Sequence, residues 1–278
     1  MLPQFYVDDL IKTAIKEDIN YIDLSTDLLF SDEDTSEAYF ISKDEGVLCG
    51  INEAMRVFEL LDPSFDCCIM KHDGDKIKKG DIICEFEGTT RYLLNGERTA
   101  LNIIQHCSGI ATATAKAVKL VAGTGASVAD TRKTLPGLRP LEKYAVMTGG
   151  GKNHRYNLSD AVMLKDNHID ACGGIKQAVE MSRSKTGHTV KIEVETRDLD
   201  EVQQALDAGA DIIMLDNMSE SEMKKAVKLI AGRAVTEASG GITDENIKST
   251  ALTGVDIISM GALTHSAKGF DISMKIKK

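Results

Sequence analysis

The stretch TVKIEVETRDLDEVQQALDAGADIIMLDN, residues 189–217, decides the fold. TVKIEVE (189–195) is short, apolar and rich in β-branched residues, and DIIMLDN (211–217) has the same character. A buried parallel strand reads this way because both of its faces are covered. Between the two runs lies a segment with the spacing of an amphipathic helix. The unit recurs on both sides: ASVAD (126–130), DAVMLKD (160–166), AVTEASG (234–240) and DIISMG (256–261) are further strands of the same kind. A helix is expected from Ser219, where Ser-Glu-Ser-Glu forms a capping box, and another from near Thr243. Repeated strand–helix units imply a parallel sheet or barrel. Residues 124–265 are too few for eight units, so a truncated barrel is expected.

The chain before this region has another character. FYVDDLIKTAIKED has helical spacing. SEAYFISKDEGVLCG and KHDGDKIKKGDIICEFEG each read as strand–turn–strand, with Asp-Gly and Lys-Gly at the turns. Asn95-Gly96 reads as a turn before a long helix that ends near Gly123. The fold class expected is therefore α/β: an N-terminal α+β, sandwich-like domain over 1–107, then a truncated parallel α/β barrel over 108–265. The tail 266–278 is expected to pack on the first domain.

Bulk properties narrow the function. The 278 residues carry Asp+Glu 43 against Lys+Arg 33, a formal net charge of -10. General nucleic-acid binding needs the opposite balance. No run approaches a membrane span, and the N-terminus lacks the pattern of a secretory signal. Six cysteines without CxxC or framework spacing suit reduced thiols, and a cytoplasmic location is expected. TGGGKNHR is not a phosphate-binding Walker loop, and His72, Asp73 and Asp75 fit a solvated turn better than a metal site.

Against this acidic background the strand ends stand out. ASVAD runs into Thr131, Arg132 and Lys133; the next strand ends on Lys165 and Asp166. Glu195 and Asp216 close the following two, Ser239-Gly240-Gly241 the next, and Met260-Gly261-Ala262 the last. The carboxyl ends of parallel barrel strands converge on one mouth, where such enzymes place their chemistry. Arg132, Lys133, His154, Arg155 and Lys165 are cations suited to carboxylate or phosphate. Glu195 and Asp216 suit Mg²⁺ or sugar hydroxyls equally. The glycine-bearing ends offer backbone N–H groups to a phosphate. A carboxylated ligand beside a phosphorylated, metal-bound one is the set these residues imply.

The linked motifs ERTALNIIQHCSGIAT, DTRKTLPGLRPLEKYAVMTGGGKNHR, VMLKDNH, IEVET, IMLDN and ASGGI closely resemble quinolinate phosphoribosyltransferases. The resemblance runs over nearly the whole chain. It implies transfer of phosphoribosyl from phosphoribosyl pyrophosphate to quinolinate, with loss of CO₂ and pyrophosphate, and no organic cofactor. It also implies a homodimer with shared active sites, leaving larger assemblies open. On that analogy Arg132, His154, Arg155 and Lys165 face quinolinate or its neighbours, Lys133 lies near the pyrophosphate, and Thr131 belongs to the substrate site. Arg98 reaches in from the partner. Glu195 and Asp216 serve the ribose and Mg²⁺, directly or through water. Ser239, Gly240, Gly241, Met260, Gly261, Ala262 and His265 meet the 5-phosphate. Three alternatives remain at this point: a nicotinate phosphoribosyltransferase, a molybdenum-locus paralogue, and a Schiff-base aldolase acting through Lys165.

Overall fold

The computed structural model describes residues 2–277. The chain divides into two units. One holds the chain up to Ala115, then Leu135–Gly150, then the chain from Ser266; the other holds Lys116–Thr134 and Gly151–His265. This differs from the simple boundary read in the sequence. Residues 135–150 lie between two barrel strands in sequence yet belong to the first unit.

The first unit contains α1 (Gln4–Asp18), β1 (Thr35–Ser42), β2 (Gly46–Val47), α2 (Ile51–Leu61), β3 (Asp66–Ile69), β4 (Lys76–Ile77) and β5 (Ile82–Thr89). It also takes most of α3 (Thr90–Val121). Its main sheet is antiparallel with the order β12-β1-β5-β3, where β12 is Ile272–Ile276. Ala38 and Phe40 alternate along β1 and are fully buried. They meet Phe86 of β5 and Phe58 of α2, with Phe40–Phe86 centroids 5.2 Å apart and Phe58–Phe86 5.1 Å apart. Burying each such ring is worth on the order of 2–3 kcal/mol. The returning tail is tied down before it pairs: Phe270 N–H donates to the Gln105 carbonyl at 2.9 Å, and Gln105 Nε2 donates to the Ile272 carbonyl at 2.8 Å.

Two expectations fail in this unit. The strand–turn–strand stretches do supply strands, but not hairpins: β2 pairs with β4, while β5 pairs with β1 and β3. Asn95-Gly96 is not a turn, since α3 runs through it. Gly96 is there for close approach. A Cβ would come within 2.9 Å of the Phe58 ring and 3.1 Å of Leu61 Cδ1, so the glycine lets α2 lie against α3. That need outweighs the roughly 1 kcal/mol that a mid-helix glycine costs.

In the second unit the six expected strands are present, with ends shifted by one to three residues: β6 (Ser127–Ala129), β7 (Val162–Leu164), β8 (Ile192–Thr196), β9 (Ile212–Asp216), β10 (Val235–Ser239) and β11 (Ile257–Ser259). They form one parallel sheet in the order β6-β11-β10-β9-β8-β7. Among the described residues β6 and β7 do not pair, so the sheet is the truncated form. The helices of this unit are α5 (Asp166–Cys172), α6 (Ile175–Lys185), α7 (Leu199–Asp207), α8 (Glu220–Ile230), α9 (Ile247–Ala251) and α10 (Ala262–His265); α4 (Arg139–Thr148) lies in the first unit. Ser219 and Glu222 make the expected capping box. The helix expected near Thr243 begins at Ile247, after a turn in which Thr243 N–H donates to Asn246 Oδ1.

The pairing register separates two faces. Ile192, Val194, Ile213, Leu215, Ala238 and Ile258 lie on one face, all fully buried. Met163, Glu193, Glu195, Met214, Asp216, Glu237, Ser239, Ser259 and Ala129 lie on the other. A parallel strand alternates its side chains, so that second face gathers the polar groups of several strands. Among the described residues no helix is long and apolar enough to cross a membrane.

Candidate active site

The polar face ends in the candidate residues. Lys165 follows β7 and is about half-exposed; its Nζ donates to Glu195 Oε2 at 3.0 Å. Asp216, the last residue of β9, sits opposite Ser239 in the register. Its Oδ2 accepts from Asn217 Nδ2 at 2.9 Å, and Asn217 N–H donates to the Ser239 carbonyl at 2.9 Å. Asn217 takes the left-handed conformation at φ 53°, and its side chain lies where a Cβ on Gly240 would have to stand. Gly240 itself has φ +90°. The turn from β10 therefore requires glycine on two counts, sterics and backbone conformation.

Beyond β11, Met260 N–H donates to the Ala129 carbonyl at 2.9 Å. Gly261 leaves room for Lys133 and His265: a Cβ there would stand 2.8 Å from Lys133 Cδ and 3.2 Å from His265 Cδ2. The Lys133 main chain is held at both ends. Its N–H donates to Thr131 Oγ1 at 3.0 Å, and its carbonyl accepts from Thr264 Oγ1 at 2.6 Å. Ala262 opens the short helix α10, which His265 closes.

His154 and Arg155 follow an edge bridge between Ala129 and Lys152. His154 N–H donates to Oδ1 of the fully buried Asp130 at 2.8 Å. Arg155 Nη1 donates to the Ala161 carbonyl at 3.1 Å, and Nη2 lies 3.6 Å from Met163 Sδ. Burial, and then the positive charge of Arg132, push the Arg155 guanidinium below its ordinary value. Arginine nonetheless stays protonated in proteins, so two like charges are kept close together. Burial works against a charge on the His154 ring, and the carboxylates of Glu193 and Glu237 work for it; the Arg155 N–H that donates to Nδ1 at 2.7 Å needs a lone pair there, which decides for the neutral ring with its proton on Nε2.

The second unit thus gathers Thr131, Arg132, Lys133, His154, Arg155, Lys165, Glu195, Asp216, Ser239, Gly240, Gly241, Met260, Gly261, Ala262 and His265. Arg98 is elsewhere: it is exposed on α3, in the first unit. Lys143, which lies in the same DTRKTLPGLRPLEKYAVMTGGGKNHR motif as Arg132 and Arg155, is fully buried in α4 of the first unit. Sequence reading missed Asn217, Glu193, Glu237 and Thr264. The available signal was the alternation of Glu193 with Glu195, and of Glu237 with Ser239, along single strands.

An open parallel sheet whose carboxyl ends carry paired cations, two carboxylates and glycine-lined turns defines an α/β barrel-type site for anionic ligands. Comparison with known proteins narrows the class. The model of the quinolinate phosphoribosyl transferase N-terminal domain matches residues 23–108, and that of its C-terminal domain matches residues 110–275. The chain belongs to the quinolinate phosphoribosyl transferase family. It is 46% identical over 267 residues to a probable nicotinate-nucleotide pyrophosphorylase [carboxylating] of Bacillus subtilis, covering 96% of this chain and 92% of that one. NadC from Streptococcus pyogenes is 43% identical and superposes with a TM-score of 0.96, covering 100% of this chain and 99% of the other. The nicotinate-nucleotide pyrophosphorylase of Francisella tularensis is 39% identical with a TM-score of 0.95, covering 100% and 98%.

Proposed function

We propose that this protein transfers the 5-phosphoribosyl group of phosphoribosyl pyrophosphate to quinolinate. The products are nicotinate mononucleotide, pyrophosphate and CO₂, a step of de novo NAD biosynthesis. The observation that carries this reading is one sheet mouth whose strand ends carry cations beside carboxylates and glycine turns: Lys165 is bonded to Glu195, and Lys133 lies against Gly261 and His265. A dicarboxylate and a polyphosphate need the cations; a ribose needs the carboxylates.

In this reading Arg132, His154, Arg155 and Lys165 surround the pyridine dicarboxylate. The pyridine nitrogen attacks the anomeric carbon of the ribose, and the bond from that carbon to the pyrophosphate oxygen breaks. Positive charge develops on the ribose as it does so, and Glu195 and Asp216 stand where fixed negative charge stabilises it. Lys133, anchored through Thr131 and Thr264, takes up negative charge on the leaving group. The positive charge on the alkylated ring nitrogen then stabilises the electron pair that the breaking carbon–carboxylate bond leaves on the adjacent ring carbon. CO₂ departs, and that carbon takes a proton from solvent. Ser239, Gly240 and Gly241, with Met260, Gly261, Ala262 and His265, receive the 5-phosphate.

The donor set suits Mg²⁺. Glu195 and Asp216 are carboxylates on one sheet face at partly exposed strand ends, and Mg²⁺ takes oxygen ligands from one or two carboxylates beside substrate phosphates. When bound, the ion would neutralise charge on the pyrophosphate.

The same reading makes the protein a cytoplasmic homodimer in which Arg98 completes the partner's site. Phe5, Tyr21, Leu24, Leu28 and Leu29, near the N-terminus, are all large apolar side chains more than two-thirds exposed. So many in so short a length of chain are what a subunit interface would cover. The test is direct. Purified protein with quinolinate, phosphoribosyl pyrophosphate and Mg²⁺ should release CO₂ and form nicotinate mononucleotide in equal amounts; a protein that forms neither overturns the reading.

A further inference from the structure

Two carboxylates on the polar face lie below the mouth and take no part in the chemistry above. Glu193 precedes Glu195 by two residues on β8, and Glu237 precedes Ser239 by two on β10. They are 1% and 3% exposed. Both face the same atom: His154 Nε2 lies 3.2 Å from Glu193 Oε2 and 3.4 Å from Glu237 Oε1. Glu237 Oε1 is buried and, beyond this contact, makes no hydrogen bond. Isolated buried carboxylates are costly unless something answers their charge, so the pair calls for a reason.

A cation is the first candidate, since ligand atoms of His154, Glu193 and Glu237 lie within 4.8 Å of one another. The ring argues against it. Arg155 N–H donates to His154 Nδ1 at 2.7 Å, which leaves the imidazole proton on Nε2. An Nε2 that carries a proton has no lone pair for a metal. Glu193 therefore accepts from the ring, and Glu237 Oε1 faces the same Nε2–H at 3.4 Å as a longer electrostatic contact.

What the ring holds in turn is Arg155. Its amide is bonded to Nδ1, and the preceding amide is bonded to Asp130. The Arg155 head group reaches Met163, which is opposite Glu193 in the register. Glu193 also acts on Arg155 with its negative charge, against the positive charge of Arg132.

We propose that Glu193 and Glu237 are positioning residues for the aromatic dicarboxylate: the buried pair holds the His154 ring, the ring fixes the Arg155 main chain, and the charge of Glu193 offsets the repulsion between Arg132 and Arg155 before substrate arrives. This rests on the quinolinate reading of the site. Neither residue touches substrate; both act through Arg155.

The test compares Glu237→Gln, Glu237→Leu and the double variant Glu193→Gln/Glu237→Gln by steady-state kinetics on the intact protein. Glu237→Leu fills a similar space but offers the ring N–H neither an acceptor oxygen nor a negative charge. It should raise the KM for quinolinate about tenfold, as loss of a hydrogen bond to a charged group does, with the KM for phosphoribosyl pyrophosphate within about twofold. Glu237→Gln keeps an acceptor oxygen and should recover most of the loss. If Glu237→Leu does not fold, the near-isosteric double variant carries the test, and it too should raise the quinolinate KM selectively. A mere packing role predicts an unchanged quinolinate KM in every folded variant, and that result overturns the proposal. Wild-type protein without turnover of quinolinate would instead overturn the functional reading, so the two failures are distinct.

Discussion

Lys165, at the end of β7, donates through Nζ to Glu195 Oε2, at the end of β8, across 3.0 Å. The cation proposed for quinolinate and the carboxylate proposed for ribose thus hold one another before either substrate binds. Because Lys165 is about half-exposed, the pair itself adds only about 0–1 kcal/mol to stability. Lys165→Met should leave the melting temperature within about 3 °C of wild type while kcat/KM falls by more than a hundredfold, on the order of 3 kcal/mol. Retained activity in a folded Lys165→Met would remove the residue from the site.

Glu195→Ala and Asp216→Ala should lower kcat more than they raise the KM for quinolinate. Their charges matter where positive charge develops, in the transition state. Steady-state kinetics with each substrate varied separates the two parameters; a pure KM effect on quinolinate would reassign both residues.

Asn217 combines an orienting bond to Asp216 with a left-handed backbone. Asn217→Gly should keep its stability within about 1 kcal/mol, since glycine tolerates that conformation. Asn217→Ala should lose about 1 kcal/mol more, for the strain of an alanine at positive φ. Both variants should lose several-fold in kcat, because both release the Asp216 carboxylate. Unchanged kcat in both would show that Asp216 is oriented by something else.

The contrast between legible and hidden features has a physical basis. The parallel strands could be read because burial on both faces demands continuous β-branched apolar runs, and the Ser219 helix because its cap is local in sequence. The β2–β4 pairing was hidden because partners some thirty residues apart leave no local mark, as Gly46 and Ile77 show. Gly96 misled because the sequence shows a glycine but not the Phe58 ring that needs its space. Candidate cations could be listed because charge stands out against an acidic chain. Which of them share a face could not, because that depends on a strand register set by distant partners. Glu193 and Glu237 were passed over because a charged residue inside a strand reads as exposed until the register turns it inward.

A pH dependence follows at the α1–α2 contact. The hydrogen bond from Arg56, and then that from Gln4, hold the Asp8 carboxyl at about 2, below its ordinary 3.8. Arg56 Nε and Nη2 each donate to it at 2.9 Å. A depressed carboxylate contributes stability that is present above the unfolded value and lost as the pH falls through the folded one. That contribution should therefore disappear between about pH 4 and pH 2. Asp8→Asn should destabilise at pH 6 and converge with wild type near pH 2 in chemical denaturation; parallel curves over that range would contradict it.

The shared site can be tested by exchange. Arg98→Ala and Lys165→Ala, each nearly inactive alone, are mixed under conditions that let subunits exchange. In a mixed dimer one site joins Arg98 and Lys165 from different chains and is intact. Random pairing of equal amounts makes about half the dimers mixed, so about a quarter of all sites should recover. If Arg98 served its own chain, every site would keep a lesion, and activity would stay flat after verified exchange.

The central claim is that the cation cluster is built for a dicarboxylate. The most direct measurement gives the protein quinolinate or nicotinate in parallel, each with phosphoribosyl pyrophosphate and Mg²⁺. A bound monocarboxylate would cover the partly buried cations while answering fewer of their charges, at a cost on the order of 2–5 kcal/mol. Quinolinate should therefore be turned over with release of CO₂, and kcat/KM for nicotinate should be lower by at least about thirtyfold. Comparable turnover of nicotinate would contradict the account.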